Sequence, residues 1–343
     1  MTYKSFHQPN LNVKENQIIM EIKEPTKQNI DFAVKLLRAG NLVAFPTETV
    51  YGLGADGLNE IAVSKIFEVK KRPQFNPLIL HISSLDMLKE IAWFNNDFHN
   101  LTEKFWPGPL TLVLKKKKVV PYIVTSGLDT VAVRIPDNKI ALQLIEKLGR
   151  PIAAPSANMF KKLSPTKAEH VAKQLGNNVK LILDGGNCKI GVESTIIEIK
   201  NNKKYYLRPG GVSKEDIEKE IGKLLQKDEL KHKPNSPGQL PIHYAPNTPI
   251  YFYDEKKIKE FSQKKIGVIF FSKATNQKLF SEFRILSKTK NLYEAASNLF
   301  KFLHELEDKN LDAILVEKIS SGGLGEAIMD RLTKAVNKYK NSN

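Results

Sequence analysis

Over the first two thirds of the chain, stretches of helical period alternate with short apolar runs. Residues 29–39 repeat their apolar positions at three- and four-residue steps and stop at Gly40, which predicts a helix. Leu42-Val-Ala-Phe45 reads as a short buried strand closed by Pro46. Helical spacing returns over 60–70, 84–91, 139–148 and 167–175. Strands are predicted at 77–82, 110–114, 130–134, 152–156, 181–183, 194–199 and 204–207. The succession is that of an α/β domain with a large sheet.

A break follows. Five prolines fall within residues 234–249, too many for a helix or an interior strand, so the stretch reads as an extended connector. It also carries His243 and Tyr244, side chains that a bare spacer does not need. Beyond it, apolar runs at 250–253, 266–271 and 313–316 predict strands, and 291–306 and 324–338 predict helices. That pattern is a smaller, Rossmann-like α/β unit. The expected division is an extension over 1–20, an α/β domain over 21–226, the connector over 227–248 and a second domain over 249–343.

Composition narrows the classes. A chain of 343 residues suits two domains. With 41% hydrophobic and 26% charged residues it is an ordinary globular mix, which excludes a disordered or fibrous protein. The one cysteine, Cys188, excludes an internal disulfide framework and a multi-cysteine zinc site, and fits a cytoplasmic setting. No signal-type apolar block occupies 1–17, and the longest uncharged run, 234–253, holds five prolines, so no membrane helix is expected. The net charge of +16 favours polyanions such as nucleic acid or nucleotides. It is spread along the chain and rests on 46 lysines against only seven arginines, which reads as a lysine bias. The sparing arginines are more informative, because lysine cannot reproduce a two-pronged grip on carboxylate or phosphate.

Five clusters carry candidate chemistry. The first, Pro46-Thr-Glu-Thr-Val-Tyr-Gly-Leu-Gly54, continues to Gly57 and so contains Gly-x-Gly-x-x-Gly. Six residues separate the preceding strand from Gly52 and the next helix starts near Glu60, so the pattern fits a dinucleotide fingerprint poorly. The glycines are expected to make turns or to let backbone pass close to a ligand, with Thr47, Glu48, Thr49 and Tyr51 forming a pocket wall. In the second cluster, Lys70-Lys-Arg72-Pro and Asn76-Pro-Leu, the basic pair either favours a helix C-terminus or clamps phosphate. Asn76 and His81 flank the following strand. Third, strand period puts Thr130 and Arg134 on one face, and an arginine between valines needs an anion if it is buried. The fourth is Ser156-x-Asn158 followed by Ser164-Pro-Thr166, one of whose hydroxyls an ordinary helix N-cap would explain. The fifth is Glu193-Ser-Thr195 with Arg208-Pro-Gly-Gly211. No Gly-x-x-x-x-Gly-Lys-Ser/Thr loop, His-Glu-x-x-His or Gly-x-Ser-x-Gly is present, so any nucleotide would be held by scattered polar and basic side chains.

These motifs, in this order and spacing, resemble the L-threonylcarbamoyladenylate synthase (Sua5/YrdC) family over roughly residues 20–225. His243-Tyr-Ala-Pro246 and the ending Gly323-Leu-Gly-Glu-Ala-Ile-Met-Asp-Arg-Leu332 are similar to its long, two-domain Sua5 form. The resemblance implies a YrdC-like α/β domain with a large twisted mixed sheet, and a nucleotidyltransferase that makes threonylcarbamoyladenylate from ATP, L-threonine and bicarbonate. The product would pass to a tRNA threonylcarbamoyl transferase for t6A formation at position 37. It further implies threonine contacts from Thr49, His81, Arg134, Ser194 and the backbone at Ala154. ATP contacts are implied for Lys70, Arg72, Asn76, Thr130, Ser156, Asn158, Ser164 and Arg208, with His243 and Tyr244 closing over the site. Lys70 and Arg72 would be catalytic. Mg²⁺ would arrive with the triphosphate, held by phosphates and water rather than by protein side chains. The alternatives are a double-stranded RNA or tRNA-binding module, for which weak RNA contact would suit the charge, and a carbamoyl-adenylating domain of a maturation factor. The run Lys115–Lys118 and the N-terminal extension have no inferred role.

Overall fold

The computed structural model of the chain describes residues 20–226, 237–238 and 240–340. Nearly all of the expected extension, and residues 227–236 and 239 of the connector, lie outside them. Among the described residues, twelve strands form one mixed sheet. From one edge it runs Glu21–Lys23, Leu181–Leu183, Val43–Phe45, Gly52–Asp56, Ile152–Ala153 and Ile79–His81. It continues through Thr130–Arg134, Leu110–Lys116, Thr195–Lys200, Lys203–Arg208 and Leu225–Gln226, with Ala92–Trp93 paired on Leu110–Lys116.

Alternate residues of the central strands enter different cores, as strand geometry requires. Val43, Phe45, Leu181 and Leu183 pack with the helices Lys27–Arg38 and Lys139–Leu148. Ala44 and Ile182 join a larger cluster with Glu60–Lys70 and Ala168–Leu175. The helix starts follow from local chemistry. Thr26, Asn59, Ser84, Asn138 and Ser213 each accept a backbone N–H of the first turn, which replaces a missing intrahelical bond. Ser164 and Thr166 do not cap the helix Ala168–Leu175. Lys167 holds the cap position without a side-chain bond, and both hydroxyls point elsewhere.

The strand Gly52–Asp56 is the main element that the hydrophobic pattern does not predict. Of the glycines in this segment, Gly52 lines the cavity described below and Gly57 lies in the turn that follows the strand, while Gly54 and Gly57 also make room for packing. A Cβ on Gly54 would lie 2.7 Å from the Phe45 ring and 2.9 Å from Ile152 Cγ2. One on Gly57 would meet Leu80 at 2.6 Å and the Pro151 carbonyl at 2.8 Å. Side chains from neighbouring strands fill the space that these residues leave empty, so the strand carries too few apolar side chains to show a period-2 signal.

The second domain holds a four-stranded parallel sheet in the order Ile250–Phe252, Ala313–Val316, Ile266–Phe270 and Glu282–Ile285. Three of these strands match the sequence reading. The half-buried edge strand Glu282–Ile285 was not expected, and its alternating charges hide it. Helices Leu292–Glu307 and Leu324–Val336 complete the unit. The two domains share one apolar cluster, in which Leu163, Val192, Tyr244 and Ala245 pack with Phe300, Leu303 and Ile328. Gly191 (φ 75°) is required at this seam, because a Cβ there would sit 2.6 Å from the Ala296 carbonyl oxygen.

His170 and His304 stack across the seam with ring centroids 3.7 Å apart. The Thr166 N–H donates to His170 Nδ1 at 3.3 Å, and His304 Nε2 lies 3.1 Å from the Ser164 carbonyl oxygen. Burial pushes His304 down to about 4, while burial and the neighbouring His304 push His170 down to about 2. Both are therefore neutral in the folded protein, whereas histidine in the unfolded chain titrates near 6.5. As pH falls below about 6.5 the unfolded chain takes up the protons first. Stability is complete above that pH and declines toward pH 4 by up to about 1.4 kcal/mol per unit for each histidine. In His304→Gln, which keeps a donor for Ser164, the fall in unfolding free energy between pH 7 and pH 5 should shrink by about 2 kcal/mol. Urea titrations at the two pH values measure it, and an unchanged difference would contradict the assignment.

Candidate active site

The site opens where the strands Ile79–His81 and Thr130–Arg134 end in register, His81 beside Arg134. The loop between Val43–Phe45 and Gly52–Asp56 crosses this end. Its Thr47 hydroxyl donates to the Val50 carbonyl at 2.7 Å, contacts the Thr49 hydroxyl at 2.8 Å and accepts the Thr49 and Val50 N–H groups. That knot explains two threonines around one glutamate. Arg134 Nη2 donates to Glu48 Oε2 at 3.2 Å and to the Thr49 hydroxyl at 3.1 Å, with both charged side chains 2% exposed. Arg134 Nε and Glu48 Oε1 are buried without a partner among the described residues. Burial holds the Glu48 carboxyl above the ordinary range against the pull of Arg134. Burial and the Arg134 charge hold His81 well below the usual histidine range, so its ring is neutral. His81 Nδ1 is likewise buried and unpartnered.

Three further buried cations line or back the cavity. Arg72 donates through Nε to the Asn76 carbonyl at 3.1 Å and through Nη2 to the Pro77 carbonyl at 2.8 Å. Neither is a helix-end carbonyl, which removes the helix-terminus reading of this side chain. Arg208 donates to the Ser194 carbonyl at 2.8 and 3.0 Å and to the Ser194 hydroxyl at 3.0 Å. Lys70 donates to the Ser156 carbonyl at 2.6 Å and to the Asn158 carbonyl. Among the described residues none of the three forms a salt bridge. Burial and a neighbouring arginine lower the proton affinity of each of them. Arginine nevertheless stays charged in proteins.

Glu193 faces this group and is held by two contacts. It accepts the Ser164 hydroxyl at 2.5 Å and Arg331 Nε at 2.7 Å. Arg331 comes from the last helix of the second domain, and its guanidinium lies 4.9 Å from the Tyr244 ring centroid. The ring of Tyr244 (φ 60°) contacts the His243 ring at a tilt of 53°, with ring centroids 4.1 Å apart. His243 is held neutral by burial and by the surrounding cations, Arg72 and Lys70 foremost.

Of the threonine set predicted from sequence, Thr49, His81, Arg134, Ala154 and Ser194 all line one cavity. From the ATP set, Arg72, Ser156, Arg208, His243 and Tyr244 line it too. Lys70, Asn76, Asn158 and Ser164 stand behind the wall, where Lys70 pins the turn at 156–158 and Ser164 holds Glu193. Asn76 has both amide atoms buried without a partner among the described residues. Thr130 is not brought to the cavity. It lies at the far end of its strand and lines a separate groove with Trp93 and Asp129. Tyr51 lines the cavity, but its hydroxyl donates to the Gly186 carbonyl at 2.8 Å. Sequence reasoning places Glu48 in a pocket wall and Glu193 in the fifth cluster without finding their arginine partners, and it assigns Arg331 no role in the site. The signal for Arg331 was available: Leu324, Ile328, Arg331 and Ala335 share the buried stripe of one helix, so an arginine sits at an apolar position.

Comparison with known proteins gives a consistent pattern. A family model described as "Telomere recombination" (Sua5_yciO_yrdC) matches residues 35–210, and one described as "Threonylcarbamoyl-AMP synthase, C-terminal domain" matches residues 212–336. The chain is 44% identical to threonylcarbamoyl-AMP synthase of Pyrococcus abyssi, covering 93% of this chain and 97% of that one. It is 41% identical to that of Bacillus subtilis, covering 88% and 91%. The fold superposes on the crystal structure of P. abyssi Sua5 complexed with L-threonine with a TM-score of 0.84 at 42% identity, over 93% of this chain and 97% of that one.

Buried cations that have only carbonyls and hydroxyls around them should attract a polyanion. Inorganic triphosphate, added far above its dissociation constant, should raise the melting temperature, because a ligand at 100 times Kd contributes about 2.7 kcal/mol. Arg72→Ala and Arg208→Ala should each reduce that rise in differential scanning fluorimetry. An equal rise in the wild type and both variants would place the anion elsewhere.

Proposed function

The chain belongs to the threonylcarbamoyl-AMP synthase family, and we propose on that premise that its cavity joins L-threonine, bicarbonate and ATP into threonylcarbamoyl-AMP with release of pyrophosphate. The observation that carries the proposal is the charge of the cavity. Arg72, Arg134 and Arg208, all nearly buried, converge on one space together with neutral hydrogen-bonding groups. Every reactant is an anion or carries a carboxylate, so the reaction calls for placement and charge compensation more than for a strong base.

The threonine amine takes up bicarbonate, forming the N–C bond of a carbamate and losing water. A carbamate oxygen then attacks the α-phosphorus of ATP, and the bond to the β-phosphate oxygen breaks to release pyrophosphate. In this scheme Arg134, steadied by Glu48 and Thr49, holds the threonine carboxylate. His81, neutral, offers its unpartnered Nδ1 to the amino acid. Arg72 and Arg208 take the phosphate charge as it moves toward the leaving group. Lys70 keeps the 156–158 turn in place beneath them. Mg²⁺ enters as part of the nucleotide substrate, bound by phosphate oxygens and water. His243 and Tyr244 cover the cavity and exclude water from the labile carbamate and adenylate. The variant of P. abyssi Sua5 with an adjacent histidine and tyrosine replaced by alanine has the same fold as this chain, with a TM-score of 0.84. The product would supply a separate tRNA threonylcarbamoyl transferase that forms t6A. An RNA-binding module is the weaker reading, because arginines at 2% to 8% exposure cannot reach the backbone of a duplex.

Pyrophosphate release from ATP should require threonine and bicarbonate together. Equal release without bicarbonate would point to ordinary amino-acid activation. Arg72→Ala should lower kcat by about 10²–10³-fold with little change in the threonine KM. Arg134→Ala should chiefly raise the threonine KM, and it should also destabilise the fold by about 3–5 kcal/mol because Glu48 is left buried and unpaired. Steady-state kinetics with threonine varied separates the two, and a shared profile would refute the division of the cavity.

A further inference from the structure

We propose that Arg331, a residue of the second domain, is a positioning residue for the nucleotide half of the site, and that it acts by capturing Glu193 so that Arg208 stays free for phosphate. This rests on the proposed function and adds a role for the second domain. Glu193 is the acidic side chain among the residues lining the cavity. It is nine-tenths buried and precedes Ser194, whose carbonyl and hydroxyl hold the Arg208 guanidinium. A carboxylate in that position has two possible fates. It can pair with the cations meant for ATP, which would neutralise them and place a negative charge beside the triphosphate. Or a separate cation can hold it.

The geometry favours the second. Arg331 Nε lies 2.7 Å from Glu193 Oε2, and its Nη2 donates to the Pro209 carbonyl at 3.0 Å, next to Arg208. Asp330 accepts from Arg331 Nη1 at 2.5 Å and also pairs with Lys334 at 2.6 Å. Lys334 in turn donates to the Gly238 carbonyl at 2.6 Å, within the connector. The face of Arg331 rests on Tyr244. The other Glu193 oxygen is occupied by Ser164. With both oxygens engaged, Glu193 makes no salt bridge to Lys70 or Arg208. Burial opposes its ionisation, but Arg331, Arg208 and the Ser164 hydroxyl outweigh it and keep the carboxyl below the usual range. Arg331 is 1% exposed, so the pair is shielded from salt.

The consequence depends on phosphate charge, which separates capture of Glu193 from a merely structural role. In Arg331→Met, binding measured by calorimetry should weaken at least tenfold for ATP, less for AMP and within twofold for adenosine. Adding Glu193→Gln to that variant should recover most of the lost ATP affinity, because no stray carboxylate remains. Arg331→Lys, which keeps the charge, should keep the ATP-to-adenosine ratio within about threefold of wild type. Equal weakening of ATP and adenosine in Arg331→Met would overturn the proposal, as would a double variant no better than the single one. If Arg331→Met does not fold, an Arg331→Lys protein that loses ATP affinity and adenosine affinity alike overturns it by itself. Wild-type product formation tests the parent function independently of these ratios.

Discussion

A guanidinium or ammonium group withdrawn from water needs a counter-charge, and this molecule leaves several of its buried cations without one. Arg72, Arg208 and Lys70 have carbonyls and hydroxyls around them but no salt bridge among the described residues. Burying an unpaired charge costs several kcal/mol, so such an arrangement persists only if the surrounding fold is stable enough to hold it. Here it sits at the end of a twelve-stranded sheet with apolar clusters on both faces. The same unmet charge makes the cavity a receptor for small polyanions, and its burial keeps larger ones out. Neutral His81 and His243 complete the lining without adding to the repulsion.

The second domain completes this arrangement. Its last helix carries Arg331 to Glu193 and Lys334 to the connector, and its apolar face closes on Tyr244 and Ala245. The seam is part of the cavity wall, because Glu193 and Tyr244 belong to both. Ser164 links the same region to His304 through its carbonyl and to Glu193 through its hydroxyl. A change on the second domain can therefore reach the nucleotide pocket through two short chains of contacts.

Much of this was legible in the sequence. The helix starts and most strands follow from caps and periodicity, and Arg134 declares itself as an arginine on a valine strand that needs an anion. Four of the seven arginines, Arg72, Arg134, Arg208 and Arg331, are buried, so sparing use of arginine did point to the site. What was not legible depends on packing between distant segments. The strand Gly52–Asp56 has no apolar period because Phe45, Ile152 and Leu80 fill its vacant side-chain space. Thr130 shares a strand face with Arg134, yet the cavity is too short to include both. Glu48 and Glu193 look like ordinary acids until their partners, 86 and 138 residues away, are known.

The central claim is that the cavity's cations serve a carbamate attacking ATP. The most direct test is mass spectrometry of the product formed by the full chain from ATP, threonine and ¹³C-bicarbonate. The account predicts an adenylate carrying threonine and one labelled carbon, formed together with pyrophosphate. An unlabelled threonyl-adenylate, or no adenylate while ATP is consumed, would contradict it.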